Sequence, residues 1–272
     1  NSMETRYQQF TETVWNYYKE NARDLPWRRT DPDGNLDPYK ILVSEIMLQQ
    51  TQAPRVIPKY AEFLGVFPDV KTLAAAPLEK VLLHWSGLGY NRRAKFLWQA
   101  AQMAVNIYEG KIPDDEVGLV SLPGVGTNTA RAVLAYAFNR PVTFIETNIR
   151  TVYIHHFFED SDAVHDKEIL SLVDSTLDTE HTREWYWALM DYGTFLKKTV
   201  GNGSRRSAHY TKQSAFAGSK RQIRGKIIKI LTSGPGQYQS IKEEIDDDRF
   251  EAVIADLLNE QLIKQSDDIL HL

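Results

Sequence analysis

An all-α fold, closed by a small winged-helix-like module, is predicted for this 272-residue sequence. Apolar residues recur with a period near 3.6 through most of the first 198 positions, and no convincing apolar/polar alternation appears before residue 230. A tight Pro/Gly turn, LPGVG at Leu122–Gly126, separates two apolar helical runs. Beyond a polar, basic stretch the pattern changes to three short helices and a terminal strand-like run. The predicted organisation is therefore a helical region over residues 3–198, a basic loop over 199–218, and the module over 219–272.

The elements follow in order. TRYQQFTETVWNYYKE is amphipathic with helical period. Pro38 suits the start of the helix YKILVSEIMLQQ, because proline is tolerated in a first turn. Helical stretches are predicted around 54–64, 78–85, 91–108, 115–121, 127–138, 148–158, 167–177 and 183–196. In LPGVG, Pro123 stops one helix, and Gly124 and Gly126 permit a reversal with close backbone approach. Thr127 then offers an N-cap to TNTARAVLAYAF. In the module, RQIRGKIIKIL, SIKEEI and DRFEAVIADLLNEQLI read as helices and KQSDDILHL as a strand or wing; a plain helical packing domain competes with the winged reading.

Composition narrows the classes. The apolar content of 42% is ordinary for a globular protein. No apolar run is long enough to span a membrane, and no charged-then-apolar leader is visible. With no cysteine, disulfides, Cys-ligated zinc and iron–sulfur clusters are not expected. An intracellular prokaryotic protein is the expectation. The net charge of −4 announces no polyanion partner. Its distribution does: between Met190 and Ile230 the only acid is Asp191, among ten bases that include Arg205 and Arg206. A solvated linker would carry the same charges. The histidines show no metal-ligand spacing, and the adjacent pair His155 and His156 is read as structural.

Two carboxylates stand in contrasting settings. Glu45 lies between Ile41, Leu42, Leu48 and Gln49 on a helix that is apolar almost all round. Burial there would raise its pKa and let it hold a proton for general-acid work. A structural carboxyl capping a neighbouring helix is the alternative. Glu146 follows PVTFI and opens the helix NIRTVYIHHF, where the dipole favours the ionised form. Backbone N–H groups at the LPGVG turn and the following helix start could hold an anion such as a phosphate.

LPGVG, a helix, and an acid about twenty residues later resemble the helix-hairpin-helix DNA glycosylase superfamily. DLPWR at 24–28, DPYKILVSEIMLQQTQ at 37–52, GLGY and RRA within 87–94, and LMDYG at 189–193 are similar to the A/G-specific adenine DNA glycosylases of the MutY type, over roughly residues 5–196. The resemblance implies a monofunctional base-excision repair glycosylase. It would flip adenine out of a mispair with 8-oxoguanine or guanine and hydrolyse its N-glycosidic bond. Glu45 would protonate the leaving adenine, Glu146 would stabilise the oxocarbenium-like sugar cation, and Asn148 would hold that carboxylate or the DNA backbone. The family carries aspartate where this chain has Glu146. Asn128 occupies the position where bifunctional relatives carry a Schiff-base lysine. Arg28 resembles an arginine lining the adenine pocket, Gln50 and Thr51 the segment wedged into the vacated gap, and Tyr90 the aromatic beside the opposing base. Tyr90 as core and Gln50 as a helix C-cap remain the plain alternatives. Gly124, Gly126, Thr127, Arg92, Arg205 and Arg206 would contact the DNA backbone. The carbonyls of Val120, Leu122 and Val125 resemble a site for K+ or Na+. Relatives bear four cysteines after the LMDYG helix, and this chain has none, so no cluster is expected. The implied setting is a monomer on double-stranded DNA carrying a mismatched or damaged base, cytoplasmic and nucleoid-associated, without membrane. The β-rich C-terminal domain usual in the family is not visible in 219–272. A glycosylase for hypoxanthine or for mismatched thymine or uracil is the enzyme alternative, and Glu45 within SEIMLQQT argues against thymine. A catalytically silent DNA-binding protein is the alternative from another class.

Overall fold

Helix-forming periodicity becomes helix along almost the whole chain. A computed structural model describes residues 2–201, 203, 207–208 and 215–272. In order, the elements are α1 (Ser2–Asn21), a 3-10 turn at Pro26–Arg28, α2 (Pro38–Leu48), α3 (Ala53–Val66), α4 (Val70–Ala75), α5 (Leu78–Trp85), α6 (Arg92–Ile107), α7 (Glu116–Ser121), α8 (Thr127–Phe138), α9 (Thr147–Phe157), α10 (Asp166–Thr176) and α11 (Thr182–Thr199). Then come α12 (Lys220–Thr232), β1 (Gly236–Gln237), α13 (Tyr238–Ile245), α14 (Phe250–Asn259), β2 (Lys264–Ser266) and β3 (Ile269–His271). The short α4 carries too little pattern to show a period. Its visible signal is the cap, where the Asp69 carboxylate accepts the Thr72 N–H at 2.8 Å.

The chain forms two compact units. The first comprises Asn1–Ile41, Asp114–Val120 and Gly126–Lys212. Its centre is α11, packed against α1, α8 and α9. Trp185 and Tyr186 of α11 are fully buried with Tyr153 of α9. Phe10 of α1 lies 5.0 Å from the Tyr153 ring, and Phe144 lies 4.2 Å from Tyr186. Gly193 sets how close α9 and α11 come. A Cβ there would sit 2.6 Å from the Asn148 carbonyl oxygen, so only glycine admits this approach.

The second unit comprises Leu42–Pro113, Ser121–Val125 and Gln213–Leu272. Its α3–α6 core is built on Phe63, Phe67, Leu73, Leu82 and Trp85, all fully buried. The C-terminal segment has the winged-helix order: helix, strand, two helices, then a two-stranded hairpin. β1, β3 and β2 form an antiparallel sheet in that order, with Leu270 opposite both Gly236 and Gln265. α13 buries Ile241, and α14 buries Phe250, Val253, Ile254 and Leu257. The plain helical-packing alternative therefore falls away. β1 spans two residues and left no period to read.

The three sequence segments do not map one to one onto these units, because 219–272 shares a unit with 42–113. The physical reason is a docked interface. α12 packs on α5, and the ammonium of the buried Lys95 of α6 donates to the Glu260 carbonyl at the end of α14 (2.6 Å). The Glu260 carboxylate pairs with Arg224 of α12 at 2.5 Å. Among the described residues no helix is long and apolar enough to cross a membrane.

Candidate active site

The hairpin is held by local chemistry. The Val125 N–H donates to the Leu122 carbonyl (3.1 Å), closing the turn. Gly124 adopts φ +78°, and a Cβ there would meet Phe96 at 2.8 Å, so conformation and space both demand glycine. Gly126 faces open space instead. The expectation that Thr127 caps α8 is corrected. Gly126 holds the N-cap position with no side-chain bond, and Thr127 is the first helical residue, exposed. The helix start therefore keeps its N–H groups for another acceptor. Asn128, also exposed, accepts the Ile145 N–H through its side-chain oxygen (3.3 Å) and so ties α8 to the segment that delivers Glu146.

Glu146 is the N-cap of α9. Its Oε1 accepts the Ile149 N–H at 2.6 Å, and Oε2 accepts from the Asn148 amide at 3.4 Å. The expectation of an ionised Glu146 meets a stronger opposing effect. Burial pushes its carboxyl above the ordinary carboxylate range, although the backbone donors and the Lys197 and Arg150 charges pull the other way. The helix dipole loses to desolvation at this site. Lys197 is shifted down, by burial first, with Glu146 opposing that shift. The Asn148 side-chain oxygen is buried and without a hydrogen-bond partner among the described residues.

Glu45 sits on α2 with Leu42, Val43, Ser44, Ile46 and Met47 all buried, and between them it alone keeps partial solvent access. The end of α2 is fixed by a residue that sequence reading passed over. Arg93, in the RRA run, inserts its guanidinium into the helix terminus. It donates to the carbonyls of Ile46 (2.7 Å), Met47 (3.0 Å) and Gln49 and to the Thr51 hydroxyl (3.2 Å). Burial lowers its pKa to about 10. These are the orphan carbonyls that any helix end leaves. No sequence signal separates Arg93 from its neighbour Arg92, which is exposed and 3.7 Å from Glu260. Thr51 is thereby sealed in, 6% exposed. Gln50 is exposed at φ 61°, and Tyr90 is half-buried at φ 49°, both left-handed.

Arg28 is committed to a bidentate pair with the buried Asp191 (2.9 and 2.8 Å), over the face of Trp187. Arg23 joins the same carboxylate, which explains the single acid in the basic run. Arg28 is thus a strut between the 3-10 turn and α11. Val120 is exposed, whereas Leu122 and Val125 are buried. Arg205 and Arg206 lie outside the described residues. No cluster of three His, Asp or Glu placed to hold a metal is found among the described residues.

The hairpin turn at Leu122–Gly126 thus leads through α8 to a helix whose N-cap is a carboxylate. The family model described as "HhH-GPD superfamily base excision DNA repair protein" matches residues 43–174. The chain is 34% identical over 231 residues to the adenine DNA glycosylase of Mycolicibacterium smegmatis, covering 79% of this chain and 78% of that one. To that of Mycobacterium tuberculosis it is 32% identical over 252 residues, covering 85% and 80%. It therefore belongs to the adenine DNA glycosylase family. Its match to the Buchnera aphidicola (subsp. Baizongia pistaciae) protein of the same name is 35% over 192 residues, and spans about half (52%) of that relative. Among solved structures, a thermostable thymine-DNA glycosylase superposes with TM-score 0.62 at 25% identity, covering 71% of this chain and 88% of that one. A non-covalent endonuclease III–DNA complex gives TM-score 0.58 at 20% identity, with the same coverage, and speaks for the fold.

Proposed function

We propose that the protein is a monofunctional DNA glycosylase that excises adenine mispaired with 8-oxoguanine or guanine. The observation that carries this reading is the match to the mycobacterial adenine DNA glycosylases across about four fifths of their length. Glu45, half-buried on a helix whose neighbouring residues 41–44, 46 and 47 are buried, donates the proton that lets adenine leave as a neutral base. Glu146 must be ionised to stabilise the sugar cation. Burial raises the Glu146 pKa, and the positive charge that develops on the sugar of bound DNA favours its charged form as the cation forms. The orphan Asn148 oxygen accepts a hydrogen bond from the attacking water, beside the carboxylate that takes up its proton. Asn128 offers no amine, so the reaction stops at an abasic strand. The exposed start of α8 and Gly124–Thr127 receive a DNA phosphate.

The chain has no cysteine, so an iron–sulfur cluster has no thiolate ligands here and no step runs through one. The carbonyls of Val120, Leu122 and Val125 are hard-oxygen donors suited to K+ or Na+, which would help hold a phosphate. The test is single-turnover excision on duplexes carrying adenine, hypoxanthine, thymine or uracil opposite each natural base and 8-oxoguanine, each followed by alkali. Adenine loss opposite 8-oxoguanine or guanine, without strand scission before alkali, is expected. Preferred excision of another base would replace the substrate. Inertness on every duplex, with binding retained, would favour a silent DNA-binding protein.

A further inference from the structure

The helices of the C-terminal module divide their charges unevenly. α12 carries five bases and no acid. Two of them, Arg221 and Arg224, turn toward the body of the second unit, against the Tyr90 ring (5.0 Å) and the Glu260 carboxylate (2.5 Å). Opposite the buried row Ile223, Ile227, Ile228 and Leu231, the helix presents Lys226 and Lys229, both exposed. Among the described residues neither ammonium has a hydrogen bond or an ion pair. Lys226 acts on Asp247 only through space, and Arg249 already holds that carboxylate at 2.9 Å. The acids lie elsewhere, exposed at Glu243 and Glu244 of α13 and at Glu251 and Asp256 of α14.

Helix-turn-helix modules send their recognition helix into the major groove. α14 holds that place here, and its exposed carboxylates would meet phosphate with like charge. α12 has the opposite character and one further feature. Gly225 lies in mid-helix beside the two lysines, where glycine weakens a helix relative to alanine. Nothing in the second unit calls for it, because a Cβ there would meet no atom within 4 Å. A bare stretch of backbone on a basic, outward helix face suits close approach by another backbone. α12 also runs beside the hairpin turn, since Gly124 and Arg221 line one cavity. We infer that α12, and not the recognition-position helix α14, is the module's DNA contact: Lys226 and Lys229 neutralise phosphates, and Gly225 lets the strand lie against the helix. This rests on the glycosylase reading for its DNA substrate.

The test measures binding to a fully matched duplex, so it does not depend on excision. Affinity is followed between about 50 and 200 mM salt. Each phosphate contact contributes about 0.9 to the slope of log affinity against log salt. Lys226→Ala and Lys229→Ala should therefore each flatten the slope by about one and weaken binding about fivefold near 0.15 M salt, and the double variant about thirtyfold. Lys264→Ala removes an exposed lysine from β2 and should leave the slope unchanged. Gly225→Ala should melt at or above the parent yet bind DNA more weakly, and Gly225→Leu more weakly still. Lysine variants that keep the parent's slope, or a Gly225→Leu variant that binds as tightly as the parent, would overturn the assignment. A Gly225→Ala variant that melts below the parent would make the glycine a packing feature and overturn its place in the contact. Slopes that flatten as expected in a protein that excises no base would sink the glycosylase reading and leave this one standing.

Discussion

Glu146 carries opposing demands within one side chain. As N-cap it needs an acceptor, and as cation stabiliser it needs a charge, while burial disfavours that charge. A carboxyl whose folded pKa is raised binds its proton more tightly in the folded state. Stability is then full below the ordinary carboxylate pKa and falls as pH rises through the window up to the raised value. Glu146→Gln should therefore melt higher than the parent at neutral pH and show a flatter pH dependence of Tm, while single-turnover excision falls by orders of magnitude. A variant that melts lower at every pH would show that the capping bond outweighs the burial cost. Glu146→Asp keeps charge and is a stronger N-cap, so activity should be kept or raised. Lys197 supplies part of the field that favours the anion. Lys197→Met should move the acid limb of the excision pH profile to higher pH, and an unmoved limb would assign that limb to another group. Glu45→Gln should abolish excision with DNA affinity nearly intact; a rate within about tenfold of the parent would remove Glu45 from the mechanism.

Element ends, rather than element centres, position the groups assigned to chemistry. The start of α9 reaches its place because Gly193 of α11 has no Cβ, and a methyl there would collide with the Asn148 carbonyl. Gly193→Ala should cost about 1–3 kcal/mol of stability in urea titration. It should also slow excision by the protein that remains folded, since it displaces Glu146 and Asn148; unchanged kinetics would detach α11 from site geometry. At the other end, Arg93 holds the last carbonyls of α2. Arg93→Ala leaves them buried and unpaired, at about 3 kcal/mol. A single ammonium cannot span the same set of acceptors, so Arg93→Lys should recover little, as denaturant midpoints would report.

At the scale of the whole molecule, the chain is divided by packing and not by order along the sequence. It passes from one unit to the other at 41–42, 113–114, 120–121, 125–126 and 212–213, and Glu45 and Glu146 belong to different units. The C-terminal module is part of the second unit's core. Truncation after residue 218 would uncover α5 and strand the Lys95 ammonium that now caps α14. The truncated protein should express as aggregate or melt well below the parent. Soluble truncated protein with an unchanged Tm would mean the module is merely appended.

Periodic apolar residues alone were enough to mark most helices and the winged segment, because a helix of two or more turns writes its buried face into the chain. Short motifs were equally legible: LPGVG and LMDYG each hold a glycine, Gly124 and Gly193, where an added Cβ would collide with a neighbour. Three matters stayed hidden until the chain was folded. Arg93 and Arg92 read alike in sequence, and only burial separates a helix-end clamp from a surface charge. The pKa of Glu146 is raised by burial in the folded chain, against the pull of its local backbone donors. The cavity beside Arg221 is lined from five separate stretches of the chain. Each is a property of what surrounds a side chain in space, and the spacing of neighbours along the chain carries no record of it.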